Sequence, residues 1–242
     1  MVASPDDDVL WARALRHSYQ GSPALLGVSI NVRGGEIVAV LGPRGAGKST
    51  FLRCLSGQLV PDEGEVWFNS APVHTLSATA RDRLRRDRFG WIGSGADLLP
   101  ELTVWENAAL PLLMRGAGHR AARTAAREWL DRLDIGSVAR KRPADLLQAQ
   151  RQRVAVARAL VTGPEVVFAD EPTAPLHRAD RAHVLRTLVS AARSHSITMV
   201  LATSEPEIAA HADRTTALVD GRSGASMPAQ ERETANPWPA SV

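Results

Sequence analysis

Between positions 42 and 49 the chain reads Gly42-Pro43-Arg44-Gly45-Ala46-Gly47-Lys48-Ser49. Three glycines, a lysine and a hydroxyl at this spacing can bind a triphosphate. Gly42, Gly45 and Gly47 let the backbone turn successive N–H groups toward one anion, with Pro43, Arg44 and Ala46 completing the loop. A helix opening at Ser49 and Thr50 adds the partial positive charge of its N-terminus. Lys48 is expected to reach the β- and γ-phosphates and Ser49 to ligand Mg²⁺. Lys48 and Lys141 are the only lysines in the chain, whose other basic residues are arginines. A second group of chemical residues follows an apolar run at 166–169, where Asp170 and Glu171 stand side by side. Placed at the carboxyl edge of a parallel sheet, Asp170 would hold Mg²⁺ through water, and Glu171 would orient or deprotonate an attacking water. A plain acidic pair at a strand end is the competing reading of these two residues, and the phosphate-type loop upstream weighs against it.

These residues need elements to position them. The apolar run 37–41 before the loop reads as a buried strand, and residues 49–56 read as the helix after it. Residues 10–18 and 25–32 read as strands, the second ending at Gly34-Gly35, and Pro61-Asp62-Glu63-Gly64 makes a turn before a short strand at 65–69. The charge-dense stretch 81–88 reads as a solvated helix face. Residues 103–160 are helical in pattern, and strands return at 166–169 and 197–201 with a helical stretch at 178–193 between them. Strands alternating with helices predict an α/β fold with a mainly parallel sheet and a helical insertion at about 94–150. The expected domain spans 9–224, after a flexible segment 1–8 and before a disordered tail 225–242 rich in Pro, Ala, Ser and Glu.

Composition narrows the function classes. With 242 residues, 44% hydrophobic and 23% charged, the chain suits one globular domain. A net charge of +3 exerts no strong pull toward nucleic acid. The single cysteine, Cys54, rules out an intramolecular disulfide and reads as a small core residue. No apolar stretch reaches the roughly 20 residues of a spanning helix, and Asp6, Asp7 and Asp8 are unlike a cationic signal sequence. A cytoplasmic protein is expected, reaching a membrane only through another subunit.

From about residue 10 to 221 the order of these elements resembles the nucleotide-binding subunit of ATP-binding cassette (ABC) transporters. Leu98-Leu99-Pro100-Glu101-Leu102-Thr103-Val104-Trp105-Glu106-Asn107 resembles cassettes of lipoprotein-release and macrolide-export systems. Residues 153–160 resemble the helix after the family signature, and Glu171-Pro172-Thr173 the segment after the magnesium carboxylate. The resemblance implies a P-loop NTPase core with a small antiparallel β subdomain and a helical subdomain. It also implies ATP and Mg²⁺ as ligands, Tyr19 stacked on the adenine, a second cassette pairing head to tail as a homo- or heterodimer, and an integral membrane permease, with no nucleic acid partner.

Four elements depart from that pattern. Where the family has LSGGQ, this chain has Leu146-Leu147-Gln148-Ala149-Gln150. Leu147 lacks the hydroxyl that would touch the partner's γ-phosphate, and Gln148 and Ala149 replace glycines that let backbone N–H groups approach it. A hydrogen bond to a charged group is worth about 1.5–3 kcal/mol, so the expected loss of ATP-driven closure is several kcal/mol. Ser94 replaces a glutamine, shortening its reach by two bonds, and Ser204 replaces a histidine that grips the γ-phosphate. Ala174-Pro175-Leu176-His177 replaces an S-A-L-D-like segment, leaving His177 for a carboxylate at the dimer seam. His177 reads either as a surface histidine or as a pH-sensitive contact there. Two main readings follow: an exporter-like ATPase subunit with slow or partner-dependent hydrolysis, and an ATP-holding pseudoenzyme that serves as scaffold or regulator. A soluble ABC protein of DNA repair or translation is a third, disfavoured because the chain has neither a long coiled-coil insertion nor a second cassette.

Overall fold

The computed structural model describes residues 8–174 and 176–228. Two sheets enclose one helix. The first is antiparallel, in the order β2-β1-β4-β5, with β1 at Asp8–Tyr19, β2 at Ser22–Arg33, β4 at Glu63–Phe68 and β5 at Ala71–Pro72. The β1–β2 connection is Gln20-Gly21, both at positive φ (49° and 86°), as a two-residue hairpin with a type I′ twist requires. The second sheet runs β10-β9-β3-β8-β7-β6, with β3 at Ile37–Leu41, β6 at Phe89–Ile92, β7 at Val166–Asp170, β8 at Thr198–Thr203, β9 at Arg214–Val219 and β10 at Arg222–Pro228. Its strands are parallel except β10, which returns antiparallel to β9.

Helix α1 (Lys48–Leu55) lies between the sheets. All five residues of β3 are buried, and their alternation divides them between two cores. Val38 and Val40 pack with Phe51, Leu52 and Leu55 of α1 and with Leu10 and Val28 of the antiparallel sheet. Ile37, Ala39 and Leu41 face the opposite side, where α3 (Val104–Met114), α4 (His119–Arg132), α5 (Gln148–Leu160) and α6 (Arg178–Ser194) cover the sheet. Strands covered on both faces read as continuous apolar runs rather than alternating ones, which is why 37–41 and 166–169 were legible. Val66 and Phe68 are buried while Trp67 turns outward and stacks on Trp11, directly across the β1–β4 ladder, at 5.2 Å.

The helical stretch resolves into α3, α4, two 3₁₀ turns and α5. α3 starts with a capping box, Thr103 and Glu106 bonding reciprocally. Asn107, fully buried, accepts from Leu99 N–H and donates to the carbonyls of Leu99, Leu102 and Thr103. The Thr103–Asn107 motif therefore shapes the loop before its own helix. α2 (Ala78–Arg88) buries no residue, in keeping with its charge, yet Arg81 and Arg85 both donate to Gly57 O just past α1.

Strands β6, β9 and β10 and the short helix α7 (Pro206–Ala209) were not anticipated, and two expected boundaries shift. Asp8, assigned to the flexible N-terminal segment, opens β1 and is buried. β10 runs to Pro228, four residues into the stretch read as tail; residues 1–7 and 229–242 lie outside the described residues. No helix among the described residues is long and apolar enough to cross a membrane.

Candidate functional site

β3 delivers the chain to Gly42, whose N–H donates to Thr203 O at the end of β8 (3.1 Å). The glycines at 42 and 47 serve close approach. A Cβ on Gly42 would lie 2.0 Å from Leu218 O, and one on Gly47 would lie 2.4 Å from Ala24 O. Gly47 also stands at φ 98° as the N-cap of α1. Gly45 differs, since its φ of 82° needs glycine while open space surrounds it. The loop is clasped from behind by the β9–β10 turn, where Gly221 N–H donates to Ala46 O (3.1 Å) and Gly221 O accepts from Leu26 N–H (2.7 Å). Pro43, Arg44 and Gly45 are exposed at the rim, and Ala46 is buried beneath them.

Lys48 is buried, at 6% exposure. Its ammonium donates to Gly42 O (2.8 Å) and Pro43 O (3.0 Å) and lies 3.2 Å from Glu171 Oε1. Two carbonyls accept hydrogen bonds and the Glu171 carboxylate lies close as a counter-charge, so the ammonium is held in the mouth of the loop. A triphosphate entering there would take over these partners rather than pay for an unpaired cation.

The far side of the site is the end of β7. Asp170 is the last residue of the strand and is buried. The Ser49 hydroxyl at the start of α1 favours the charged form of the Asp170 carboxyl, and Oδ1 is buried with no hydrogen-bond partner. Burial pushes the Asp170 carboxyl above the ordinary 3.8, the nearby Ser49 hydroxyl opposes this, and the neighbouring Glu171 charge adds to it. Glu171 turns the chain at φ 47°, with its N–H held by Ala202 O of β8 (2.9 Å). That left-handed turn places its mostly covered carboxylate against Lys48. No cluster of three or more His, Cys, Asp or Glu suited to a metal exists among the described residues. An orphaned buried carboxylate oxygen beside a serine hydroxyl fits a cation whose other ligands come from phosphate and water.

Tyr19 closes β1 beside the loop, where the Thr50 hydroxyl donates to its phenolic oxygen (3.4 Å). The loop, Ser49, Thr50, Asp170, Glu171 and Tyr19 thus converge on one side of the molecule. Ser204, half-buried after β8, joins them through the Thr203–Gly42 contact. Ser94 is exposed in a loop that α5 anchors, Gln152 donating to Gly93 O (2.9 Å) and Arg158 to the carbonyls of Ala96 and Asp97 (both 2.8 Å). The altered signature stands apart. Leu147 is the N-cap of α5, 73% exposed, and Gln148 beside it is also exposed. Leucine carries no oxygen to cap the helix, so only the reciprocal bond survives, from Leu147 N–H to Gln150 Oε1 (3.0 Å). His177 is exposed as the N-cap of α6, and Pro175 lies outside the described residues. Leu218, Thr203 and Ala24 were not legible beforehand, because they contribute backbone oxygens that any residue type supplies, and Gly221 acts through a close approach to Ala24 O that only the fold creates.

Residues 25–174 match the ABC transporter family. The lipoprotein-releasing system ATP-binding protein LolD 2 of Caulobacter vibrioides is 37% identical over 89% of this chain and 96% of its own length. The macrolide export ATP-binding/permease protein MacB of Marinobacter nauticus is 36% identical over 86% of this chain, which spans 33% of that longer protein. Among solved structures, a dimeric ATP-binding cassette in a post-hydrolysis state, bound to ADP and Pi, superposes with a TM-score of 0.86 at 30% identity, over 91% of this chain and 98% of that one. The P-loop NTPase fold expected from the sequence is the fold observed, and the chain belongs to the ABC transporter family as an ATP-binding cassette of the lipoprotein-release and macrolide-export type.

Proposed function

We propose that this cassette binds Mg-ATP and couples it to a separate membrane permease at the inner face of the cell membrane, with slow or partner-dependent hydrolysis. The observation that carries the reading is the convergence of two distant segments, Lys48 at 3.2 Å from Glu171 with Ser49 beside Asp170. The amides of the loop and Lys48 bind the phosphates, Ser49 and Asp170 hold Mg²⁺, and Glu171 polarises the attacking water. Mg²⁺ held by Ser49 and Asp170 would offset the negative charge of the phosphates. A second cassette, the same chain or another, is the expected partner, and nucleic acid is not. Titration calorimetry with Mg-ATP tests the binding step: the parent chain binds below the millimolar range and Lys48→Ala loses at least a hundredfold. Equal heats from the two proteins would overturn it.

The exposed Leu147 and the short Ser94 and Ser204 support a second reading, a cassette that changes shape on ATP without turnover. Losing one contact to transition-state charge costs about 10²–10³ in rate, and three such positions are altered. Steady-state phosphate release separates the two readings, with Glu171→Gln as the baseline. Release above that baseline identifies an ATPase, and release equal to it identifies a scaffold.

A further inference from the structure

The end of β1 is organised around its only tyrosine. Leu10 and Ala12 point inward with even parity, but after an irregularity at Arg13-Ala14 the inward residues are Leu15 and His17. Ala14 makes the extra step at φ 51°, its N–H held by Ser29 Oγ (2.9 Å). A bulge of this kind flips every later side chain to the other face. It turns His17 and Tyr19 toward α1, and leaves Arg16 and Ser18 exposed.

His17 is then buried, at 8% exposure, in a place where a polar ring needs a reason. Its Nδ1 lies 3.3 Å from Asp62 Oδ1, off line for a hydrogen bond, so the carboxylate sits against the ring. The other oxygen of Asp62 accepts from Ser18 N–H (2.8 Å), fixing the backbone between the two rings. His17 and Tyr19 meet perpendicularly, 4.8 Å between centroids, the favoured edge geometry for aromatic pairs. Thr50 tethers the phenolic oxygen from the opposite side. The tyrosine ring is thus held from two sides, on a backbone fixed at Ser18, while 44% of it stays exposed beside the phosphate loop.

We infer that His17, Asp62 and Thr50 are positioning residues that hold Tyr19 as a preformed stacking platform for the base of the bound nucleotide. This deepens the reading above and rests on it. A free surface tyrosine must surrender side-chain rotation when it stacks; this ring has already done so, which is worth about three- to tenfold in affinity. Stacking uses the π face common to all bases, so the platform reads the presence of a base more than its identity.

Comparing Mg-ATP with Mg-tripolyphosphate, which has the phosphates and no base, isolates the platform. The parent chain is expected to bind ATP about tenfold more tightly than tripolyphosphate. His17→Asn removes the ring and erases most of that advantage while tripolyphosphate affinity stays within twofold. His17→Phe, which keeps a ring edge, restores it. Asp62→Asn, at a half-exposed position, shifts the ratio in the same direction and covers the case in which His17→Asn does not fold. Because the chain has one tyrosine, 3-fluorotyrosine labelling gives a single ¹⁹F resonance; ATP should move it and tripolyphosphate should not. The inference is overturned if ATP and tripolyphosphate bind the parent equally, if the ratio survives in His17→Asn and Asp62→Asn, if Phe rescues no better than Asn, or if ATP leaves the resonance unmoved. If neither ligand binds the parent chain, the phosphate-site reading fails and takes the platform with it.

Discussion

Two helices of this protein begin where a phosphate is expected, and they begin differently. α1 starts at Gly47, a left-handed glycine whose missing Cβ lets it press against Ala24 O. α5 starts at Leu147 in extended conformation, with an exposed apolar side chain and no side-chain cap. Around α1, three strands and a turn converge to hold the loop, whereas the start of α5 is exposed and held by Gln150 alone. Backbone sterics constrain the start of α1 to its sequence, whereas Leu147 and Gln148 at the start of α5 are exposed and meet no comparable demand among the described residues. An N-terminus whose only demanding contact would come from a partner is free to change without cost to the fold.

The largest test repairs α5. Leu147→Ser combined with Gln148→Gly and Ala149→Gly should raise ATP-dependent dimerisation at least tenfold, read by analytical ultracentrifugation of a Glu171→Gln background. Stability should move little, since a serine cap contributes about 1 kcal/mol and each helical glycine costs roughly 0.5–1 kcal/mol. Unchanged dimerisation would show that the signature is not what limits pairing.

Next come Gly42→Ala and Gly45→Ala, which separate the two reasons for glycine. Gly42→Ala drives a methyl into Leu218 O and should cost several kcal/mol, because strand backbone cannot withdraw. Gly45→Ala meets only the left-handed penalty, about 1–2 kcal/mol. Denaturant midpoints check the order, and equal losses would refute the steric account of Gly42.

Asp170→Asn should weaken Mg²⁺-dependent nucleotide affinity about 10–100-fold and raise the thermal midpoint of the ligand-free protein. The sign follows from its raised carboxyl. The folded state keeps the proton to higher pH than the unfolded chain, so stability contributed by Asp170 falls as pH rises from the ordinary 3.8 through the native value. Mg²⁺ and a proton compete for that carboxylate, so Mg²⁺ binding should begin to weaken on acidification at a higher pH than for an ordinary carboxylate. A pH-independent Mg²⁺ affinity would contradict this.

The smallest effect concerns Cys54. Burial, helped by the Asp62 charge, pushes its thiol up to about 12, so alkylation of the native protein at pH 8 should proceed only through unfolding. Labelling as fast as in urea would show an open core.

The phosphate loop, Asp170 and Glu171 could be read from sequence because their chemistry demands particular side chains and particular spacing. The strands flanking them were legible as unbroken apolar runs. β6 and β9 were not, since Gly90 and the threonines of β9 carry no such signal, and β10 fell in composition that resembles a tail. The resemblance of the signature region was visible, but the exposure that makes Leu147 tolerable was not.

Residue types and spacing alone led to the expectation of a triphosphate cradle, and set beside the family pattern they marked the signature, Ser94 and Ser204 as short of the usual reach, because reach and charge belong to the side chain itself. Tertiary structure decided the rest: why Gly42 must be glycine, how far Asp170 is removed from water, and which way Tyr19 points. Each of those depends on atoms brought from distant segments, Leu218 O, the covered end of β7, a bulge held by Ser29, and no local pattern encodes the meeting of groups so far apart along the chain.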